Sequence, residues 1–85
     1  MHHKTYEPAP AQVTAQASHI RTALGAHAYR AYSYTTTSGP LAGQTFYVVE
    51  VQFADKSVTA FTSGVGFDDA IKCGWEHAAE MNEVF

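Results

Sequence analysis

Thr45–Ser63, TFYVVEVQFADKSVTAFTS, is the stretch on which the fold turns. Tyr47, Val49, Val51 and Phe53 alternate with Val48, Glu50 and Gln52, the period-two pattern of a strand with one buried face. Ala54-Asp55-Lys56-Ser57 breaks the pattern with turn-forming residues, and Val58–Ser63 resumes it. A turn over those four residues pairs Phe53 with Val58, Val51 with Ala60 and Val49 with Thr62. One face of the hairpin then stays apolar or neutral across the ladder.

Before the hairpin, Ser38-Gly39-Pro40-Leu41-Ala42-Gly43 is a turn cluster, and Tyr29–Thr37, rich in tyrosine and threonine, is a further strand. Tyr32 and Tyr34 share one of its faces and Tyr29 lies on the other, so the pattern alone leaves the buried face open. Ala9–Leu24 has helical periodicity: Val13, Ala17, Ile20 and Leu24 form one apolar stripe, with Pro10 in the first turn and Gly25 past the end. After the hairpin, Gly64-Val65-Gly66 leads to a second helix over about 68–84. Asp68 is its N-cap, Asp69 favours the positive end of the dipole, and Ile71, Trp75, Ala78, Met81 and Phe85 make its core stripe. Lys72 stands one turn from Glu76 and is placed to pair with it. The expected fold is α+β, in the order α-β-β-β-α: a three-stranded antiparallel sheet with both helices on one face.

Eighty-five residues, 46% hydrophobic and 13% aromatic, suit one domain with one small core. That domain is expected over 9–85, with 1–8 as a flexible N-terminus. No apolar run has the length of a membrane span and no signal peptide is visible. A single cysteine, Cys73, excludes an internal disulfide framework, so a soluble cytoplasmic protein is expected. The net charge of −3 is unevenly placed. Through Tyr34, Lys4, Arg21 and Arg30 stand against Glu7, a net +2. From Thr35 onward, Lys56 and Lys72 stand against Glu50, Asp55, Asp68, Asp69, Glu76, Glu80 and Glu83, a net −5. An acidic chain argues against nucleic acid as a partner.

Little in the sequence carries chemistry. Gly64-Val65-Gly66 between a strand and a helix has the look of a phosphate loop, but Asp68 and Asp69 would repel the anion and no Walker lysine follows. The serines sit in no nucleophile-elbow context, and no acid–base set stands out. No cofactor is implied. Met1-His2-His3 could offer an amine, two amides and an imidazole to Cu(II) or Ni(II), but reads first as a disordered start, and no metal site is expected. His19, His27 and His77 read as boundary or surface residues and Cys73 as a small semi-buried one. Glu76, Glu80 and Glu83 share one face near the helix C-terminus, where the dipole disfavours negative charge. They read either as a solvated face or as an acidic stripe kept for a basic partner.

The order and spacing resemble the double-stranded RNA-binding domain. Tyr32, Gly39-Pro40 and Phe46-Tyr47-Val48 stand at that family's spacing for the first-strand tyrosine, the turn and the second strand, and Gly64-Val65-Gly66 matches the link into its second helix. The resemblance covers about residues 10–80 and implies the α-β-β-β-α fold. The family's RNA contacts do not carry over. Ala42 stands where a turn histidine is common, and Asp68-Asp69-Ala70-Ile71-Lys72 replaces a lysine-rich run that grips phosphates. In size, charge and missing chemistry the chain also resembles phage-encoded inhibitors of host defence nucleases, anti-CRISPR proteins among them.

These resemblances and the residues together lead to an expected non-enzymatic protein-binding module, an inhibitor of that kind, with a basic protein surface as partner. Its expected contact residues are Asp68, Asp69, Glu76, Glu80 and Glu83, with Phe46, Glu50 and Phe61 as a sheet-face patch that would equally serve a homodimer. The alternative is a protein of the double-stranded RNA-binding class that uses Arg21, Arg30 and Lys72 on an atypical surface.

Overall fold

The computed structural model describes residues 4–83. The elements are β1 (Lys4–Pro8), α1 (Ala11–Leu24), β2 (Ala28–Thr36), β3 (Thr45–Gln52), β4 (Val58–Ser63) and α2 (Phe67–Glu83). The strands form one antiparallel sheet in the order β1-β2-β3-β4.

The sheet therefore has four strands, not three. Lys4–Pro8, expected to lie outside the fold, pairs along β2 from Lys4 opposite Thr36 to Pro8 opposite Tyr32. Pro8 obscured this strand in the sequence, yet proline is tolerated on an edge strand. The chain stays close to β2 one residue further, where the Ala9 amide donates to the Ala31 carbonyl at 3.2 Å. Met1-His2-His3, which reads as a plain start before it reads as a Cu(II) or Ni(II) site, lies outside the described residues.

α1 follows its sequence pattern closely. Val13, Ala17, Ile20 and Leu24 are all buried. Pro10 stands at the N-cap, one position earlier than the first turn, and its carbonyl accepts from the Val13 and Thr14 amides. At the other end Gly25 takes φ 69°, the Gly25 amide donates to Thr22 O and the Ala26 amide donates to Arg21 O. This is a Schellman cap, whose left-handed position favours glycine. Arg21 adds positive charge where the helix dipole favours it.

The hairpin forms, but one residue out of the expected register. Gln52 faces Val58, Val51 faces Thr59 and Val49 faces Phe61. The connection is a three-residue loop: Lys56 N donates to Phe53 O and Phe53 N donates to Ser57 O, each at 2.9 Å. Lys56 supplies the left-handed residue that such a loop needs, at φ 72°. Asp55 fixes the loop by accepting from the Ser57 amide at 2.9 Å and the Ser57 hydroxyl at 2.6 Å, and these bonds hold its carboxyl below the usual aspartate range. The left-handed conformation costs an ordinary residue about 1–2 kcal/mol. Glycine removes that cost and returns part of it as unfolded-state entropy. Lys56→Gly is therefore expected to raise stability by about 0.5–1 kcal/mol, read as a thermal midpoint about 3–6 °C higher.

A one-residue slip moves every side chain of a strand to the other face. The helix-covered face of the sheet carries Ala31, Val49, Val51 and Phe61, which share one core with Val13, Ala17, Ile20 and Leu24 of α1 and Ala70 and Ala78 of α2. Both helices thus lie on the same side. In α2 the buried line is Ala70, Gly74 and Ala78, with Phe67 and Ile71 packed beside it. Trp75 and Met81, expected in the core, are 39% and 41% exposed. Trp75 instead lies beside α1, where its indole N–H donates to Gln16 Oε1 at 3.2 Å. Phe85 lies outside the described residues. The helix starts at Phe67, so Asp68 lies in its first turn rather than at its cap. Ser63 Oγ, accepting from the Val65 and Gly66 amides at 3.0 and 3.5 Å, orders the link between β4 and α2.

Candidate functional site

With both helices on one side, the other sheet face is bare among the described residues. Register assigns to it Lys4 and Tyr6 from β1, Arg30, Tyr32 and Tyr34 from β2, Phe46, Val48 and Glu50 from β3, and Val58 and Ala60 from β4. β2 sends Tyr29 and Ala31 to the helix side and Tyr32 and Tyr34 to the bare side. This settles the ambiguity in its alternation.

Aromatic rings tile the bare face. Phe46 stacks on Tyr34 with centroids 5.3 Å apart, Tyr34 meets Tyr6 at 5.8 Å, Tyr6 meets Tyr32 at 5.8 Å, and Tyr32 lies 6.5 Å from Tyr34. Val48 is only 3% exposed although no helix covers it, so its sheet neighbours bury it. Two cations sit on the rings, Lys4 Nζ at 4.6 Å from the Tyr34 centroid and Arg30 Cζ at 4.8 Å from that of Tyr32. Arg30 donates through Nε to Glu50 Oε1, and this hydrogen-bonded carboxylate raises the guanidinium pKa above its ordinary value. Tyr32 donates to the other Glu50 oxygen at 3.4 Å, and burial, then the Glu50 charge, raises its phenol above the ordinary value. Shallow recesses of about 320 and 310 Å³ flank Arg30, one reaching Gln52 and Val58, the other Tyr6 and Pro8.

The expected contact residues divide between two surfaces and the core. Phe46 and Glu50 lie on the bare face. Phe61 does not: it is 8% exposed, on the helix side, against the ring of His77 at 5.6 Å. Its assignment to the sheet patch is corrected by the register of the three-residue loop. Asp68 and Asp69 are exposed at the start of α2 and line an open recess of about 440 Å³ with Pro10, Val13 and Val65. Glu76 and Glu80 are exposed further along the helix; the side chain of Glu83 lies outside the described residues. Asp69, Cys73, Glu76 and Glu80 follow at steps of four, three and four, so Asp69 extends the stripe. It runs about 16 Å along the helix. Cys73 within it is exposed rather than semi-buried. Lys72 does not pair with Glu76; the ion pair found among the described residues is Arg30–Glu50, on the opposite layer.

Lys4 and Tyr6 are the parts of the bare face that sequence reasoning missed. Their signal was the alternation Lys4, Tyr6, Pro8, too short to stand out without a partner strand. Among the described residues, no three or more His, Cys, Asp or Glu side chains are grouped to hold a metal ion, and no helix is long and apolar enough to cross a membrane. No family model, curated protein or solved structure matches the chain.

Proposed function

We propose that the chain is a non-enzymatic binding module whose α2 docks on a basic surface of another protein, of the sort that otherwise holds nucleic acid. The observation that carries this is the run of exposed carboxylates Asp69, Glu76 and Glu80 along one helix face, none of them in an ion pair among the described residues. Acids that merely solubilise a helix are commonly interspersed with lysines one turn away. Here the one lysine within reach of the stripe, Lys72, leaves Glu76 unpaired. A row of like charges raises the local potential, steers an oppositely charged partner and disfavours the wrong ones. Docking of this kind on a nucleic-acid-handling protein would compete with its substrate, which is the inhibitor role that the small size and acidic balance suggest.

The test is capture of nucleic-acid-handling proteins on the immobilised chain, followed by affinity measurement with the partner so identified. Asp69→Lys/Glu76→Lys/Glu80→Lys is expected to weaken that complex by about 100-fold. Added duplex nucleic acid is expected to displace the native chain. A complex that keeps its full affinity in the triple variant would show that α2 is a solvated face and nothing more.

A further inference from the structure

The bare sheet face has a chemistry unlike that of α2. We infer that it binds a short single strand of nucleic acid, bases on the rings of Tyr6, Tyr32, Tyr34 and Phe46, phosphates beside Lys4 and Arg30. Three observations converge on this occupant.

The first is ring spacing. Neighbouring centroids lie 5.3 to 6.5 Å apart. Bases within a duplex strand are about 3.4 Å apart and cover one another's faces. Centroids at 5.3 to 6.5 Å are those of rings packed against one another into one apolar platform. Such a platform takes bases whose faces a duplex does not cover, as single strands offer them. The second is the placement of charge. Lys4 Nζ and Arg30 Cζ lie over the Tyr34 and Tyr32 rings. A base that stacks on the exposed Tyr6 ring therefore brings its phosphate to them, and one that stacks on Tyr34 or Tyr32 draws the cation off the ring onto its phosphate. Glu50 does not cancel this: its side chain is 15% exposed, whereas that of Arg30 is 69% exposed, so the pair turns its cation outward.

The third is the separation of charge by the fold. A net charge of −3 argues against nucleic acid only where acids and cations share a surface. Of the basic N-terminal portion, Lys4 and Arg30 lie on the bare sheet face and Arg21 on α1, while Asp69, Glu76 and Glu80 project from the far side of α2. A helix is about 10 Å thick with its side chains. The acids thus lie beyond the roughly 8 Å over which physiological salt screens exposed charges.

Fluorescence anisotropy of labelled oligo(dT) and oligo(rU) of about eight nucleotides, titrated with the full chain, tests this. Binding of either supports the proposal, and any preference between them identifies the sugar recognised. With two phosphates neutralised, affinity is expected to fall about sevenfold between about 50 and 200 mM salt. Tyr6→Leu keeps apolar bulk and loses the π face; Tyr6 is 60% exposed on an edge strand, so the fold should persist. The expected loss is about tenfold. Lys4→Glu is expected to weaken binding and flatten the salt dependence. Glu76→Gln/Glu80→Gln, which tests the other surface, is expected to leave oligonucleotide affinity within about twofold. No binding at the lower salt, or binding indifferent to both Tyr6→Leu and Lys4→Glu, overturns the proposal. So does a dimer in sedimentation that Tyr6→Leu dissolves, because the face would then belong to a second copy.

Discussion

Ile20→Ala is expected to destabilise the protein by about 3–4 kcal/mol, lowering the thermal midpoint by about 15 °C or more. Ile20 has no exposed surface and stands where α1, α2 and the sheet meet: the backbone of Gly74 lies on one side of it and Val49, Val51 and Phe61 belong to the same core. Truncation removes three carbons, losing both their transfer free energy and their contacts. The remaining cavity closes poorly because its walls are two helices and a four-stranded sheet. A domain of this size has only about 5–10 kcal/mol in total, so this one change uses a large part of it. Chemical denaturation measures it directly. A loss under about 1 kcal/mol would mean that Ile20 packs far less tightly than described.

Ile20 was legible from the outset, and the reason separates what the sequence shows from what it hides. The α1 stripe of Val13, Ala17, Ile20 and Leu24 rests on helical periodicity inside one element, and all four positions are buried. What depends on two elements meeting was harder. The hairpin strands were both legible, but their register depends on loop conformation, and a left-handed Lys56 carries no signal as strong as glycine would. That one residue of register sends Phe61 to the core instead of the patch with Phe46 and Glu50. In α2, weighting large apolar residues points to Trp75 and Met81, whereas the buried line runs through Ala70, Gly74 and Ala78. Small residues win because α2 crosses so close to Ile20 that bulk is excluded there, a constraint imposed by α1. β1 was hidden for a related reason: five residues with a proline become a strand only once β2 is there to pair with them.

The same dependence on assembly governs the candidate surfaces. Along the chain, basic and acidic portions look like an uneven charge distribution with no geometric meaning. Folded, Lys4 and Arg30 join the rings on the bare sheet face, where Glu50 is held in its ion pair, whereas Asp69, Glu76 and Glu80 lie on the outer side of α2. Two surfaces of unlike chemistry that face apart can be occupied together. The protein partner proposed for α2 and the single strand proposed for the sheet therefore do not compete for space. One set of substitutions on each layer separates them, Glu76 and Glu80 on one, Lys4 and Tyr6 on the other.

Gly74→Val is expected to cost about 3 kcal/mol or more. A β-carbon built at Gly74 falls 2.8 Å from Ile20 Cδ1, 3.3 Å from Ile20 Cγ2 and 3.4 Å from Phe61 Cδ2. The first distance is well inside contact, and valine adds two further methyls. Replacing glycine inside a helix returns under about 1 kcal/mol of propensity, too little to offset forcing a fully buried isoleucine off its rotamer. The cost should be relieved from the other side. Ile20→Ala removes both of the isoleucine carbons that clash, and its cavity receives the valine methyls. The double variant is thus expected to be more stable than the sum of the two single losses by about 1–3 kcal/mol. A double-mutant cycle in denaturant measures this coupling. Strict additivity would mean that α1 and α2 do not cross at these two residues. A positive coupling fixes the crossing that places the acids of α2 on the layer opposite the bare sheet face.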